Sequence, residues 1–176
     1  MDHGSCIHTE QECNPKTGDN SFSEITFRPY DESIDKVGFI CLVNDFLKLV
    51  HLYDHNELIE LRSTLVNHVE AKICEWAYRG CFVHLAMHNN KYIGFMVYES
   101  EKDVFAYLKA VFLEEKYRKS SLLYKFEGIL VQKGIKKLLA LSYKHNVEFK
   151  ESDRKKLIAE KDGLLFWDID LKNRGF

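Results

Sequence analysis

The most constraining feature of the sequence is an almost unbroken apolar strand, "DVFAYLKAVFL", at Asp103–Leu113. Successive side chains of a strand point to opposite faces of a sheet, so a strand that is apolar at nearly every position must be covered on both faces. An α/β domain with a mixed sheet gives a strand this cover, because helices pack on both sides of the sheet. We therefore predict that Asp103–Leu113 is a central strand of such a sheet.

A short strand and two helices are predicted before this central strand. Apolar residues alternate in "SEITFRP", and Pro29 ends the run. In residues 33–52, apolar residues recur at helical spacing, and after "YDHN" they recur in steps of three and four up to Trp76. Gly80 follows as a left-handed cap for the second helix.

The apolar pattern changes to strand spacing after Gly80. "CFVHLAMHNNKYIGFMVYES" predicts a hairpin that turns at Asn89-Asn90. After the central strand we predict a helix at about Ser120–Lys133, a strand in "KKLLALSY", a polar helix in "VEFKESDRKKLIAEK" (residues 147–161), a turn at Asp162-Gly163 and a final strand in "LLFWDIDL". The predicted order is β-α-α-β-β-β-α-β-α-β, a mixed α+β sheet with helices on both faces.

The composition limits the classes of partner. The 176 residues suit one core, which we place in residues 23–176, and the polar, aperiodic residues 1–22 predict a disordered tail. A net charge of −2, with 45% hydrophobic and 30% charged residues, points to neither nucleic acid nor a membrane as partner. The chain has no apolar run near the roughly 20 residues of a membrane span and no signal-peptide pattern, so we expect a cytoplasmic protein.

The cysteines predict no metal site. Three of them lie in apolar contexts and indicate reduced, buried side chains: Cys41, Cys74 and Cys81. The tail holds two cysteines and two histidines, the donors that zinc prefers: Cys6, Cys13, His3 and His8. Their spacing matches no zinc finger, and the tail lacks apolar residues that could fold around an ion.

The junction between the central strand and the next helix carries Tyr117, Arg118, Lys119, Ser120 and Ser121 in a row. A helix N-terminus presents unpaired amides and a partial positive charge, so this junction suits a phosphorylated ligand. A serine-capped helix with two solvated basic residues would account for the same residues. The local sequence leaves both interpretations open.

The element order and the junction resemble the GNAT superfamily of acyl-CoA N-acyltransferases over roughly Glu24–Leu171. Family members typically carry Val-x-Pro-x-Tyr-Arg-Gly-x-Gly-x-Gly/Ala where this chain has "LEEKYRKSSLL". Tyr117 and Arg118 match that motif, whereas Ser121 and Leu123 replace glycine or another small residue. The stretch from Tyr117 to Gly134 also resembles phage-encoded members.

The resemblance implies acetyl-CoA as co-substrate and a set of residues that bind it. The pantetheine arm would follow Val111 and Phe112, and the amide of Leu113 would polarise the thioester carbonyl. The pyrophosphate would lie at the helix start, where the matching residues are Arg118, Lys119, Ser120, Ser121, Leu122 and Leu123. Asn146 matches an asparagine that the family often has after the fifth strand.

Catalytic side chains are harder to assign. In the family a tyrosine after the fifth strand often protonates the leaving thiolate, but Phe149 stands there, so Tyr143 and His145 are the nearby substitutes. For a general base we consider His84 or His88, which share a strand face, and also the acidic residues Glu99 and Glu101, where the hairpin ends.

Two functions remain open at this stage. One is an acetyl-CoA-dependent N-acetyltransferase that acts on an amine of an unidentified small molecule or protein, bound near "HLYDHNE". The other is a non-catalytic GNAT-like module that binds a protein partner or a ligand, since the junction has lost its glycines and the expected tyrosine is missing. The lysines around the junction helix alternate with its apolar face and indicate a solvated surface, not a nucleic-acid interface.

Overall fold

The computed structural model describes residues 25–53, 65–102, 104–118, 122–143 and 152–172. The elements in chain order are β1 (Ile25–Pro29), α1 (Glu32–Tyr53), α2 (Leu65–Tyr78), β2 (Phe82–His88), β3 (Lys91–Glu101), β4 (Phe105–Leu113), α3 (Glu115–Arg118), α4 (Leu122–Gln132), β5 (Lys137–Tyr143), β6 (Lys155–Lys161) and β7 (Leu164–Asp170). The predicted tail, residues 1–22, lies outside the described residues.

The strands form one mixed sheet of seven strands in the order β1-β2-β3-β4-β5-β7-β6. Among the described strand pairs, only β4–β5 is parallel, and its neighbours on both sides pair antiparallel. The predicted turns are confirmed: Asn89 and Asn90 have φ of 49° and 60°, and Asp162 and Gly163 have φ of 53° and 77°. Asparagine, aspartate and glycine tolerate these left-handed conformations better than other residues do.

Helices cover both faces of the sheet, as the central strand predicts. On one face, α1 and α2 pack Phe39 and Trp76 against Phe95. On the other face, the α4 side chains pack in a second core with strand residues such as Trp167. The end of β4 joins both cores, since Phe112 is buried in the first and Leu113 in the second. This double burial is the physical reason for the unbroken apolar run.

The predicted polar helix at residues 147–161 is wrong where the structure describes it. Residues 155–161 form β6, an edge strand that pairs with β7 through the Asp162-Gly163 turn. Six of its seven residues are exposed, and an edge strand with a solvated face has the polar composition that also suits a helix. The observed order therefore ends β-β-β, and it includes one unpredicted helical turn, α3, between β4 and α4.

The prediction that three cysteines are buried is also wrong. Cys41 and Cys74 are exposed, because they lie on the solvent sides of α1 and α2. Cys81 is half-buried directly after the Gly80 turn, and burial raises the pKa of its thiol. Apolar neighbours in the sequence did not indicate which side of the helix each cysteine faces.

Candidate active site

The two parallel strands at the centre of the sheet separate along their length. β4 and β5 pair only from Phe105 to Tyr107, which lie beside residues 137–139 of β5. Beyond these positions β4 continues to Leu113 beside β3, and β5 continues to Tyr143 beside β7. Among the described strands, none therefore pairs with the β5-facing edge of β4 over its last residues. An exposed strand edge of this kind can bind an extended ligand through backbone hydrogen bonds.

β4 contains a β-bulge close to the point where it separates from β5. The partner of Val97 is Ala110 but the partner of Tyr98 is Leu108, so Lys109 is an extra residue in β4. Its ammonium binds the Glu99 carboxylate at 2.8 Å, which satisfies the charge at the bulge. Bulges bend and twist a strand, and this one lies two residues beyond Tyr107, within the stretch that leaves β5.

A cleft of about 340 Å³ lies between α1 and the end of β4. Its lining residues come from two walls: Asp45, Lys48 and Leu49 from α1, and Phe112, Glu114, Glu115 and Arg118 from the end of β4 and from α3. Both walls thus carry acidic and basic side chains, and each also contributes one apolar residue. The Lys48 ammonium binds the Asp45 carboxylate at 3.2 Å within the α1 wall.

Arg118 is folded back onto the end of β4. Its Nε donates a hydrogen bond of 2.8 Å to the Leu113 carbonyl, and its guanidinium carbon lies 5.6 Å from the centre of the Phe112 ring. These contacts hold a positive charge at the wall of the cleft. The structure therefore brings together Phe112, Leu113 and Arg118, three of the residues that the resemblance assigned to coenzyme A.

The structure describes the other predicted ligand-binding residues only in part. Val111 packs half-buried against the core on the α4 side of the sheet. Leu122 and Leu123 begin α4, and nothing is described of their side chains. Four predicted residues lie outside the described residues: Lys119, Ser120, Ser121 and Asn146.

Of the three predicted catalytic side chains, the structure describes that of His84. His84 does not line the cleft; its ring stacks on Tyr98 at 5.8 Å and is 5% exposed. Burial, and after it the charge of Lys133, lowers the pKa of His84 to about 4. Tyr143 is the last residue of β5, and its side chain is not described, whereas His145 lies outside the described residues.

His88 and Glu114 make contacts that the sequence did not indicate. Nδ1 of His88 shares a hydrogen bond of 2.7 Å with the hydroxyl of Tyr117, and the Lys91 ammonium binds the Glu114 carboxylate at 2.8 Å. Glu114 and Glu115 belong to the "LEEKYRKSSLL" motif, so the motif itself was a signal for the β4 wall of the cleft. No comparable pattern marked Asp45 and Lys48, which reach the cleft only through the packing of α1.

The described parts of the chain hold neither a metal-binding cluster nor a membrane-spanning helix. There, no group of three histidine, cysteine, aspartate or glutamate side chains could hold a metal ion. None of the helices described is both long enough and apolar enough to cross a membrane. The region near "HLYDHNE", which the sequence suggested for the acceptor, falls mainly on residues 54–57, outside the described residues.

Comparison with known proteins identifies the fold. No protein-family model matches the chain, and no curated protein matches its sequence. Solved structures do match. The chain is similar to a PaiA N-acetyltransferase from Thermoplasma acidophilum in complex with coenzyme A, with 17% identity and a TM-score of 0.65 over 83% of this chain and 98% of that one.

Two further solved structures agree with it. An acetyltransferase of the GNAT family from Staphylococcus aureus Mu50 has 17% identity and a TM-score of 0.58, covering 84% of this chain and 99% of that one. An aminoglycoside 6'-acetyltransferase of type Ii has 14% identity and a TM-score of 0.57, covering 85% and 99%. The chain therefore has the GNAT fold, which confirms the predicted mixed α+β class.

Proposed function

We propose that the protein transfers an acetyl group from acetyl-CoA to an amine of a small molecule or protein. The observation that carries this proposal is the separation of β4 from β5, with a cleft lined by Arg118 at the end of β4. The fold supports the proposal, because the solved PaiA N-acetyltransferase, which has the same fold, is in complex with coenzyme A. The acceptor and the choice of acetyl over other acyl groups are part of the proposal.

The described residues fit a coenzyme A thioester as substrate. The open edge of β4 at Val111–Leu113 suits the amide-containing pantetheine arm, and the guanidinium of Arg118 suits its phosphates. The Leu113 amide is our candidate donor to the carbonyl oxygen of the thioester, where negative charge develops. The proposed coenzyme A-binding residues also include the five that follow Arg118 in the sequence: Lys119, Ser120, Ser121, Leu122 and Leu123.

The reaction needs an amine without its extra proton. The amine nitrogen forms a bond to the acetyl carbon, the carbon–sulfur bond breaks with its electrons on sulfur, and the proton lost by nitrogen balances the thiolate charge. Glu115 places a carboxylate at the cleft that can attract a cationic amine and accept its proton, whereas the Glu114 carboxylate is ion-paired with Lys91. Tyr143 and His145 remain our candidates for the acid that protonates the thiolate, whereas the buried His84 is a poor base.

Calorimetry and a thiol-release assay test the proposal. Wild-type protein should bind coenzyme A, and Arg118→Ala should weaken binding by up to about a hundredfold, because a charge-assisted contact contributes roughly 1.5–3 kcal/mol. Arg79→Ala, at an exposed position in the turn after α2, is the matched control and should bind as wild type does.

The two open functions give different results in these measurements. Release of coenzyme A thiol from acetyl-CoA in the presence of a panel of amines identifies an enzyme. Binding without thiol release from any amine identifies a non-catalytic module that uses the same cleft. Absence of binding at millimolar coenzyme A contradicts the proposal.

A further inference from the structure

The hairpin formed by β2 and β3 contacts both walls of the cleft. Toward α1, the hydroxyl of Tyr92 donates a hydrogen bond of 2.9 Å to Asp35. Toward the β4 wall, the amide of Glu114 donates one of 2.8 Å to the Ile93 carbonyl, and Lys91 binds the Glu114 carboxylate. The hairpin thus contacts both the helix and the segment between which the cleft opens.

The contact between His88 and Tyr117 joins the hairpin to α3. Tyr117 lies in α3 and is 3% exposed, while His88 is the last residue of β2. The two rings meet edge to face at 5.7 Å, and the 2.7 Å hydrogen bond joins the hydroxyl to Nδ1. The Lys116 ammonium covers the Tyr117 ring at 4.7 Å.

One turn of helix has little stability of its own, so α3 needs such tertiary contacts to hold its position. Arg118 is the next residue after Tyr117, and Glu115 precedes it by two residues; both line the cleft. A shift of the Tyr117 ring would therefore displace the charged groups that face the ligand.

We propose that His88 is a positioning residue for ligand binding: its hydrogen bond to Tyr117 holds α3 so that Arg118 faces the cleft. This inference rests on the proposed binding of coenzyme A. It gives His88 a role that differs from the general base considered from the sequence, because His88 acts through Tyr117 and does not contact the ligand.

A double-mutant cycle in coenzyme A affinity tests the inference. Tyr117→Phe removes only the hydroxyl, and His88→Ala removes its partner. Each single variant should bind coenzyme A about five- to tenfold more weakly than wild type. The double variant should bind it with about the affinity of the more strongly affected single variant, because the same hydrogen bond is lost in all three. His88→Asn should restore most of the affinity, because its side-chain amide reaches the position of Nδ1.

Matched controls separate positioning from general stability. Tyr107→Phe removes another hydroxyl, which donates a 3.2 Å hydrogen bond to Glu101 away from the cleft, and should leave the affinity unchanged. Melting temperatures measured beside the affinities show whether the variants stay folded at the assay temperature.

The outcomes are distinct. Wild-type affinity in both single variants, additive losses in the double variant, or a failure of asparagine to rescue would each overturn the positioning role. If wild-type protein itself does not bind coenzyme A, the proposed function fails, and the inference fails with it. Binding by wild type with unaffected variants removes the inference alone.

Discussion

Asp35, at the start of α1, accepts a hydrogen bond of 2.6 Å from Nη1 of Arg28 on β1, and its side chain is fully buried. The same carboxylate accepts hydrogen bonds of 2.9 Å from the hydroxyl of Tyr92 on β3 and from the Asp31 amide. Asp35 thus ties two strands to the helix that forms one wall of the cleft. Burial alone would raise the pKa of Asp35, but these hydrogen bonds outweigh it and lower the pKa.

Loss of this carboxylate should destabilise the fold. We expect Asp35→Ala to lower the free energy of unfolding by about 2–3 kcal/mol, because three donors lose their acceptor while Arg28 can still reach solvent. Glu32→Gln, which removes an exposed charge from the same helical turn, is the control and should change stability little. Urea denaturation measures both, and equal effects of the two variants would contradict the role given to Asp35.

The Asp35 network should also make stability depend on pH. Because the folded protein lowers the pKa of Asp35, the native state binds this proton less readily than the unfolded chain does. Its contribution is present above the ordinary aspartate pKa and is lost as the pH falls through the lowered value. Comparison of wild type with Asp35→Asn across acidic pH should show the two stabilities converging as the pH falls. A constant difference down to pH 2 would show that Asp35 does not titrate as proposed.

His84 should make the protein less stable as the pH falls from about 6.5 to 4. Its pKa is lowered to about 4 by burial, so between these values the unfolded chain binds a proton that the native state does not. The full difference corresponds to roughly 3 kcal/mol. His84→Leu should remove this part of the pH dependence, whereas His68→Leu, at an exposed position on α2, should retain it. Parallel stability profiles for wild type and His84→Leu would show that His84 is not the group responsible.

Position 38 requires glycine because the ring of Tyr92 packs against it. A β-carbon at Gly38 would overlap that ring, so Gly38→Ala should displace Tyr92 and destabilise the protein by about 1–3 kcal/mol. With Tyr92→Ala in place, the same substitution should instead stabilise α1, since alanine is favoured over glycine in a helix by about 1 kcal/mol. This reversal of sign, measured by denaturation, is the decisive result. A Gly38→Ala change that acts identically in both backgrounds would exclude the steric explanation.

Several elements could be predicted because their causes are local. The turn at Asn89-Asn90 depends on two residues that tolerate positive φ, and the end of α4 depends on Gly134, which has φ of 84°. Steps of three and four in the apolar residues identified α1 and α2. The strand β6 could not be predicted in this way, since its polar letters suit an exposed helix and an edge strand equally well, and pairing with β7 decided between them.

The same distinction between local and long-range causes applies to the candidate site. The residues of "LEEKYRKSSLL" could be proposed from the sequence because they are contiguous, and Arg118 of this stretch lines the cleft. The opposite wall could not be recognised, because Asp45 and Lys48 look like ordinary exposed residues of α1 until that helix is packed.

By itself, the sequence determined the two-sided burial of β4, the hairpin turn and the basic junction, because each depends on residues within a few positions of one another. Only the tertiary structure decided where β4 leaves β5 and which side chains meet there. His88 and Tyr117 are 29 positions apart, and no local preference of either residue specifies their 2.7 Å contact. Such contacts form when the packing of two cores sets the distance between strands and helices that are remote in the chain.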